Sequence, residues 1–274
     1  MVQCVAHADR TPSLSLRDGD GGRLLVHCHA GCHALDVLAG LRNLKLLEGR
    51  FSPQDDVQPQ IQHRTPPTSD RSAMELVLQI FAEAVEPRGG PVEVYLQGRG
   101  LGRLPDDVID VRYHPRCPRG ADRLPAMVAL MRDVVTNAPA GVHRTFLRSD
   151  GTGKADVHPA KMMLGRAAGA IVKLTPDEDV LAGLGLCEGL EDGIAIMNMG
   201  WRPIWAGLSA VAMARFPVLP GIEALTLFQD ADPPGRSAAD RCAARWRGAG
   251  QSAAVVDPQS SKDFAAMAET LSHG

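Results

Sequence analysis

The chain has 274 residues, 45% of them apolar and only 4% aromatic, with 29 Lys+Arg against 32 Asp+Glu for a net charge of −3. That length suits two compact units plus a small module, with enough apolar residues for a proper core. No apolar run is long enough to span a bilayer, and Met-Val-Gln-Cys lacks the basic and apolar regions of a secretory signal, so a cytoplasmic protein with no membrane partner is expected.

Residues 1–48 read as a module rich in Cys and His, with a helix over Leu35 to Leu47. Cys4-x-x-His7 and Cys28-x-x-x-Cys32 form two ligand pairs some twenty residues apart. Tetrahedral Zn2+ takes two such pairs, and a module this small has little core, so a structural Zn2+ is expected to hold it folded. The run His27-Cys28-His29-Ala30-Gly31-Cys32-His33 leaves the set open: His27, His29 or His33 can replace a cysteine. The remaining Cys117, Cys187 and Cys242 are scattered and read as ordinary thiols.

Residues 49–71 are polar and Pro-rich and read as a linker. Ser72-Ala73-Met74-Glu75 has the form of a capping box and predicts a helix with Val77, Ile80, Phe81 and Ala84 on one face, ended by Pro87 and Gly89-Gly90. It opens a mixed α+β segment, 72–175, with short strands expected at 142–147 and 168–174. Residues 88–173 carry 14 Lys+Arg against 8 Asp+Glu, whereas 174–274 carry 7 against 13. A basic segment beside an acidic one suits phosphate binding next to a metal site.

From 176 to 274 strands and helices alternate: strands at Leu184–Cys187, Pro203–Ala206, Ala224–Gln229 and Ala253–Val256, helices at Leu190–Met199, Ala210–Phe216 and Gly235–Arg247. Such alternation implies an α/β fold, a parallel sheet flanked by helices. Glu188 follows the first strand, and Asp230-x-Asp232-x-x-Gly235 follows the third. Open parallel sheets bind ligands at the carboxyl ends of their strands. Three carboxylates converging there raise one another's pKa, and Mg2+ resolves the repulsion, which points to metal-assisted phosphoryl chemistry. Gly189 is expected to allow a tight turn, and Gly235 to open a helix whose N-terminus faces phosphate. Glu191 and Asp192, one helical step beyond Glu188, read as helix N-terminal acids rather than a second metal site.

The pair Glu188-Gly189 and Asp230-x-Asp232-x-x-Gly235 resembles the Toprim domain shared by bacterial-type primases, topoisomerases and some nucleases. Cys-x-x-His-x-Asp-Arg-Thr-Pro-Ser-Leu-Ser-Leu, then Leu-Leu-Val-His-Cys-His-Ala-Gly-Cys, resembles the CHC2-type zinc ribbon of bacterial and phage primases, although that family usually has an element before its first ligand. Tyr95-Leu96-Gln97-Gly98-Arg99-Gly100-Leu101 resembles the Y-L-x-x-R-G-L that opens their catalytic core.

The resemblance implies a phage- or plasmid-like DNA primase making short RNA primers on single-stranded DNA from nucleoside triphosphates. It implies Glu188, Asp230 and Asp232 as catalytic and as ligands of Mg2+ or Mn2+, with Asp263 a further acid. It also implies Arg99, Arg144, Lys154, Lys161 and Arg166 as contacts to template or nucleotide. No G-x-x-x-x-G-K-[ST] occurs, so any helicase partner is a separate protein. Two alternatives stand beside this reading: a Toprim metal-dependent nuclease, and a non-catalytic nucleic-acid-binding replication accessory. A topoisomerase is disfavoured, because the only tyrosines, Tyr95 and Tyr113, precede the acidic motifs.

Overall fold

A computed structural model describes residues 2–7, 12–19, 23–28, 30, 32, 34–46 and 68–272. Two units result, Met1–His63 and Arg64–Gly274.

The first unit is small. Strands β1 (Leu14–Gly19) and β2 (Arg23–Cys28) pair antiparallel with Leu14 opposite Cys28, and helix α1 (Ala34–Asn43) follows. Its core is Cys4, Leu14, Cys28, Val37 and Leu41. A Cβ at Gly40 would meet the Val5 Cγ2 at 2.8 Å and the Val5 carbonyl at 2.9 Å, so glycine there lets α1 lie against the Cys4–His7 segment. Leu47 at the end of the expected helix, and residues 49–67 of the expected linker, lie outside the described residues.

In the second unit, helix α2 runs over Thr68–Glu83, one turn earlier than the capping box at Ser72 predicts. In the sequence Pro66-Pro67 immediately precedes Thr68, and proline is excluded from a helix interior. Val77, Ile80 and Ala84 are buried, as the periodicity predicts. Helix α3 (Pro91–Gly98) holds the first half of the Tyr95–Leu101 heptad.

Four strands follow, β3 (Val111–Arg119), β4 (Asp122–Asp133), β5 (Pro139–Phe146) and β6 (Lys161–Gly165), each antiparallel to its partner. Strand β7 (Ala170–Lys173) leads into β8 (Gly183–Cys187), α4 (Leu190–Asn198), β9 (Ile204–Ala206), α5 (Ala210–Arg215), β10 (Ala224–Phe228), α6 (Pro233–Gly248), β11 (Ser252–Val256) and α7 (Phe264–Ser272).

Among the described residues nine strands form one sheet in the order β11-β10-β8-β9-β7-β4-β5-β6, with β3 also on β4. Strands β11, β10, β8 and β9 are mutually parallel, as expected. The sheet then continues across residue 175, because β7 pairs antiparallel with both β9 and β4. The basic and acidic segments therefore share one sheet.

Alternating strand residues feed opposite faces. One face buries Cys187, Ile204, Ala206 and Phe228 with residues of α3, α4 and α7. The other buries Leu184, Leu186, Trp205 and Leu227 with α5 and α6, where Trp246 stacks on Phe216 at 6.1 Å. Helix α2 closes a third cluster over β4 and β5. No helix among the described residues is long and apolar enough to cross a membrane.

Candidate metal and phosphate site

In the first unit Cys4, His7, Cys28 and Cys32 place their ligand atoms within 4.8 Å of one another. His7 Nδ1 lies 3.1 Å from the Cys32 Sγ and 3.9 Å from the Cys28 Sγ. Tetrahedral Zn–S and Zn–N bond lengths imply edges of roughly 3.6 Å, so the group has the right size for one ion. Desolvation opposes ionisation of the Cys28 thiol, but hydrogen bonds from the Cys32 and Ala30 backbone and the Ser13 and Cys4 side chains bring it down to about 6. A thiolate is the state that binds metal, and burial, then the Cys28 and Cys4 side chains, raise the Cys32 thiol to about 11, so Cys28 ionises before Cys32. Of the alternative ligands, His29 and His33 lie outside the described residues, and His27 is a residue of β2 paired with Ser15.

In the second unit, parallel register sets Cys187 beside Phe228, and Phe228 beside Val256. The loops after β8 and β10 therefore leave the sheet together, carrying Glu188 and Asp230. The loop after β11 joins them through the Ala231 N–H, which donates to the Lys262 carbonyl at 2.8 Å. The loop after β9 does so through the Leu208 N–H, which donates to the Glu188 carbonyl at 2.7 Å. Leu208 has φ +66, a conformation costing about 1–3 kcal/mol in a branched residue, and it sits against the acidic centre.

Asp232 caps α6, its Oδ1 accepting from the Gly235 N–H at 2.7 Å. This corrects the expected role of Gly235. The helix opens two residues earlier, at Pro233, and the Gly235 N–H serves Asp232 rather than facing phosphate. The glycine is needed for another reason: a Cβ would meet the Asp230 carbonyl at 2.8 Å and the Asp230 Cβ at 2.9 Å. Gly189 is corrected likewise. Its backbone is extended (φ −93, ψ 151), and what excludes a side chain there is the Asp192 carboxylate.

Asp192 is the member of the centre that the sequence reading missed. It is buried, its Oδ1 accepts from the Ala265 N–H at 2.8 Å, and it interacts electrostatically with Asp230 and Asp263. The acid pair Glu191-Asp192 directly after the Glu188-Gly189 motif was the available signal. Asp263 caps α7 alongside it, accepting from the Ala266 N–H at 2.7 Å.

Four carboxylates thus surround Asp230. Burial first, then Asp192, Glu188, Asp263 and Asp232, push its carboxyl up to about 7. Burial and then the Asp263 and Glu191 charges raise Asp192 to about 6, against the Ala265 N–H that favours its ionised form. Burial, with Asp232 and Asp192, also raises Glu188, against a hydrogen bond from the Ala210 backbone. The Asp230 Oδ1 is buried with no hydrogen-bond partner among the described residues. An orphaned carboxylate oxygen among like charges fits a hard divalent cation, which takes oxygen ligands and removes the repulsion.

The basic candidates divide. Lys161, on β6, pairs with Glu191 at 2.8 Å, and the Tyr95 hydroxyl donates to the same carboxylate at 3.1 Å. Burial pushes the Glu191 carboxyl up; the charge and hydrogen bond of Lys161 overcome it and hold the carboxyl down at about 2. Glu191 therefore sits in the first turn of α4, as expected, and is an interior ionised group there. Arg99 donates to the Tyr95 hydroxyl at 3.3 Å and lies 3.9 Å from Glu269.

Lys154 is partly buried, and burial, then the charge of Lys161, lower its pKa, with Arg99 and Lys262 adding to the effect. Arg144 lies inside the sheet, only 5% exposed, donating to the Pro118 carbonyl at 2.7 Å and the Met163 carbonyl at 3.4 Å. Arg166 pairs with Asp133 at 2.7 Å, and no contact brings it to Glu191 among the described residues.

Residues 183–270 match the family model of the Toprim domain, and residues 71–174 match a domain of unknown function, DUF7146. No curated protein matches the chain. Among solved structures, the primase fragment of the bacteriophage T7 primase-helicase protein is 18% identical, over 68% of this chain and 71% of that one, with a TM-score of 0.42. The zinc-binding and RNA polymerase domains of the Aquifex aeolicus primase are 11% identical, over 94% and 72%, with a TM-score of 0.44. A DNA primase domain from Pseudomonas aeruginosa is 16% identical, over 58% and 51%, with a TM-score of 0.39.

Proposed function

We propose that this Toprim-containing chain is a DNA primase-type nucleotidyltransferase that joins nucleoside triphosphates into short RNA primers on single-stranded DNA, working beside a separate replicative helicase. The observation that carries the reading is the convergence of Glu188, Asp192, Asp230, Asp232 and Asp263 around an unpartnered Asp230 oxygen inside a Toprim domain. The Cys4–His7–Cys28–Cys32 cluster and the Tyr95–Leu101 heptad support it, since both match primase patterns in primase order.

Asp230, Asp232, Asp192 and Asp263 are the residues that would hold Mg2+ or Mn2+. That ion would supply charge neutralisation and Lewis acidity at the transferring phosphate. Glu188, raised by burial and neighbouring carboxylates, is suited to take the proton of an attacking 3′-hydroxyl. Asp232 keeps its loop in place by capping α6. Zn2+ at the Cys/His cluster would hold the first unit folded.

The test is primer synthesis on single-stranded DNA with labelled NTPs and Mg2+, comparing the native chain with Asp230→Ala plus Asp232→Ala. NTP-dependent short products, lost in the variant, are expected. Template degradation would replace this reading with the nuclease. DNA binding without products from folded, zinc-loaded protein would replace it with the accessory protein.

A further inference from the structure

The acidic centre has a cationic neighbour on the same sheet, and Glu191 joins the two. Glu191 follows Leu190 at the start of α4, one residue before Asp192, and is almost fully buried. Both of its oxygens are used. Oε2 takes the Lys161 ammonium from β6, and Oε1 takes the Tyr95 hydroxyl from α3, itself backed by Arg99.

A buried ion pair is a weak source of stability, because desolvation offsets most of the attraction. This pair is also lopsided: the Glu191 side chain is 4% exposed, whereas that of Lys161 is 40% exposed. An ammonium has three donors, and Glu191 is the one acceptor bonded to this one among the described residues. Two donors therefore remain on a side chain that is 40% exposed.

Lys161 stands where opposite charges meet. Lys154 lies within electrostatic reach of Lys161, Glu191, Arg99 and Lys262. Lys161 also acts on Asp192, a member of the acidic centre, and Lys262 lies 3.8 Å from Asp263 of that centre. His143, buried two residues from the Thr145 that pairs with Lys161, is pressed down to about 4 by burial and is neutral, so it adds no competing charge. Cations bordering carboxylates complement a ligand that brings phosphate oxygens to the cations and shares a divalent ion with the carboxylates.

We infer that Glu191 is a positioning residue that fixes Lys161 at the border of the acidic centre, with its remaining N–H donors presented to the phosphate groups of a bound ligand. The inference deepens the proposed function and rests on it for the identity of the ligand. Phosphate groups reach such a site from a nucleoside triphosphate or from a polynucleotide backbone, and the test separates the two.

Equilibrium binding of labelled ATP and of a labelled single-stranded oligonucleotide, each with Mg2+, is measured for native protein, Glu191→Gln, Lys161→Met and the double variant. Thermal unfolding checks that each is folded, and Tyr95→Phe supplies a milder change should Glu191→Gln fail to fold. Removing the charge that orients Lys161 is expected to weaken binding of one ligand about tenfold, the scale of one charge-assisted hydrogen bond. The double variant is expected to bind no worse than Lys161→Met alone, since Glu191 acts through Lys161. Weakened ATP binding identifies the triphosphate as the source, and weakened oligonucleotide binding alone identifies the backbone. Unchanged binding of both ligands by folded Glu191→Gln, or a double variant additive in its two losses, overturns the inference. None of these readouts requires primer synthesis, so a failure of catalysis leaves them interpretable.

Discussion

Asp230→Asn is expected to stabilise the metal-free protein above neutral pH and to abolish its stabilisation by Mg2+. In the folded chain the Asp230 carboxyl moves from its ordinary 3.8 to about 7, chiefly by burial and then by four neighbouring carboxylates. At 1.36 kcal/mol per pH unit that difference sets a ceiling of about 4 kcal/mol. The carboxyl is only half-buried, and solvent screening reduces the figure to about 2 kcal/mol.

A carboxyl raised on folding leaves stability intact below the unfolded pKa. That stability is lost as pH climbs through the window from 3.8 to about 7, where the unfolded chain has released a proton the folded chain still holds. Asparagine releases no proton, so its advantage over native is near zero at pH 4, roughly a third of its full size at pH 5, and full above pH 7. For a unit of this size about 2 kcal/mol is a rise of about 4–8 °C in Tm. The assay is thermal unfolding with EDTA at pH 5 and pH 8, repeated at pH 8 with Mg2+. Native protein is expected to gain in Mg2+, by about 2.7 kcal/mol at a hundred times Kd, and the variant not to gain. A variant no more stable than native at pH 8 in EDTA, or equally improved at both pH values, would refute the reasoning, because either result means that the carboxylates around Asp230 do not repel.

Two further outcomes test the surrounding structure. Chelation, or Cys28→Ser, is expected to remove one bound zinc per chain, read by elemental analysis. It should also open residues 1–63 to limited proteolysis while 68–272 stays protected; a first unit that resists protease without metal would show that its small core suffices. Gly235→Ala would place a methyl within 2.9 Å of Asp230 backbone and Cβ atoms. It is expected to cost about 1–3 kcal/mol by overpacking and to weaken Mg2+ stabilisation, both read from Tm against Mg2+ concentration; native-like curves would mean that the loop accommodates the methyl freely.

Much of the acidic half was legible in the sequence because its information is local. Short apolar runs ending in Glu188 and in Asp230-x-Asp232 mark strands β8 and β10, and the helices between them follow from 3.6-residue periodicity. The Cys4-x-x-His7 pairing is likewise written in a spacing of three residues. Strands β3 and β4 and helix α7 were not read. Pro115, Pro118 and Pro125 interrupt the alternation in the first two, and α7 is a run of small residues whose N-terminus is organised by the distant Asp192.

What only the tertiary structure decided is which charged groups meet. Glu191 and Asp192 are adjacent in sequence, yet one is an ion-paired anion beside Lys161 and Tyr95, and the other a repelled carboxyl beside Asp230. Arg144, expected to contact template or nucleotide, donates instead to carbonyls inside the sheet. A carboxylate's state depends on the charges and solvent within a few ångströms. Those neighbours come from strands and helices up to about a hundred residues away, brought together by sheet register that no local pattern encodes.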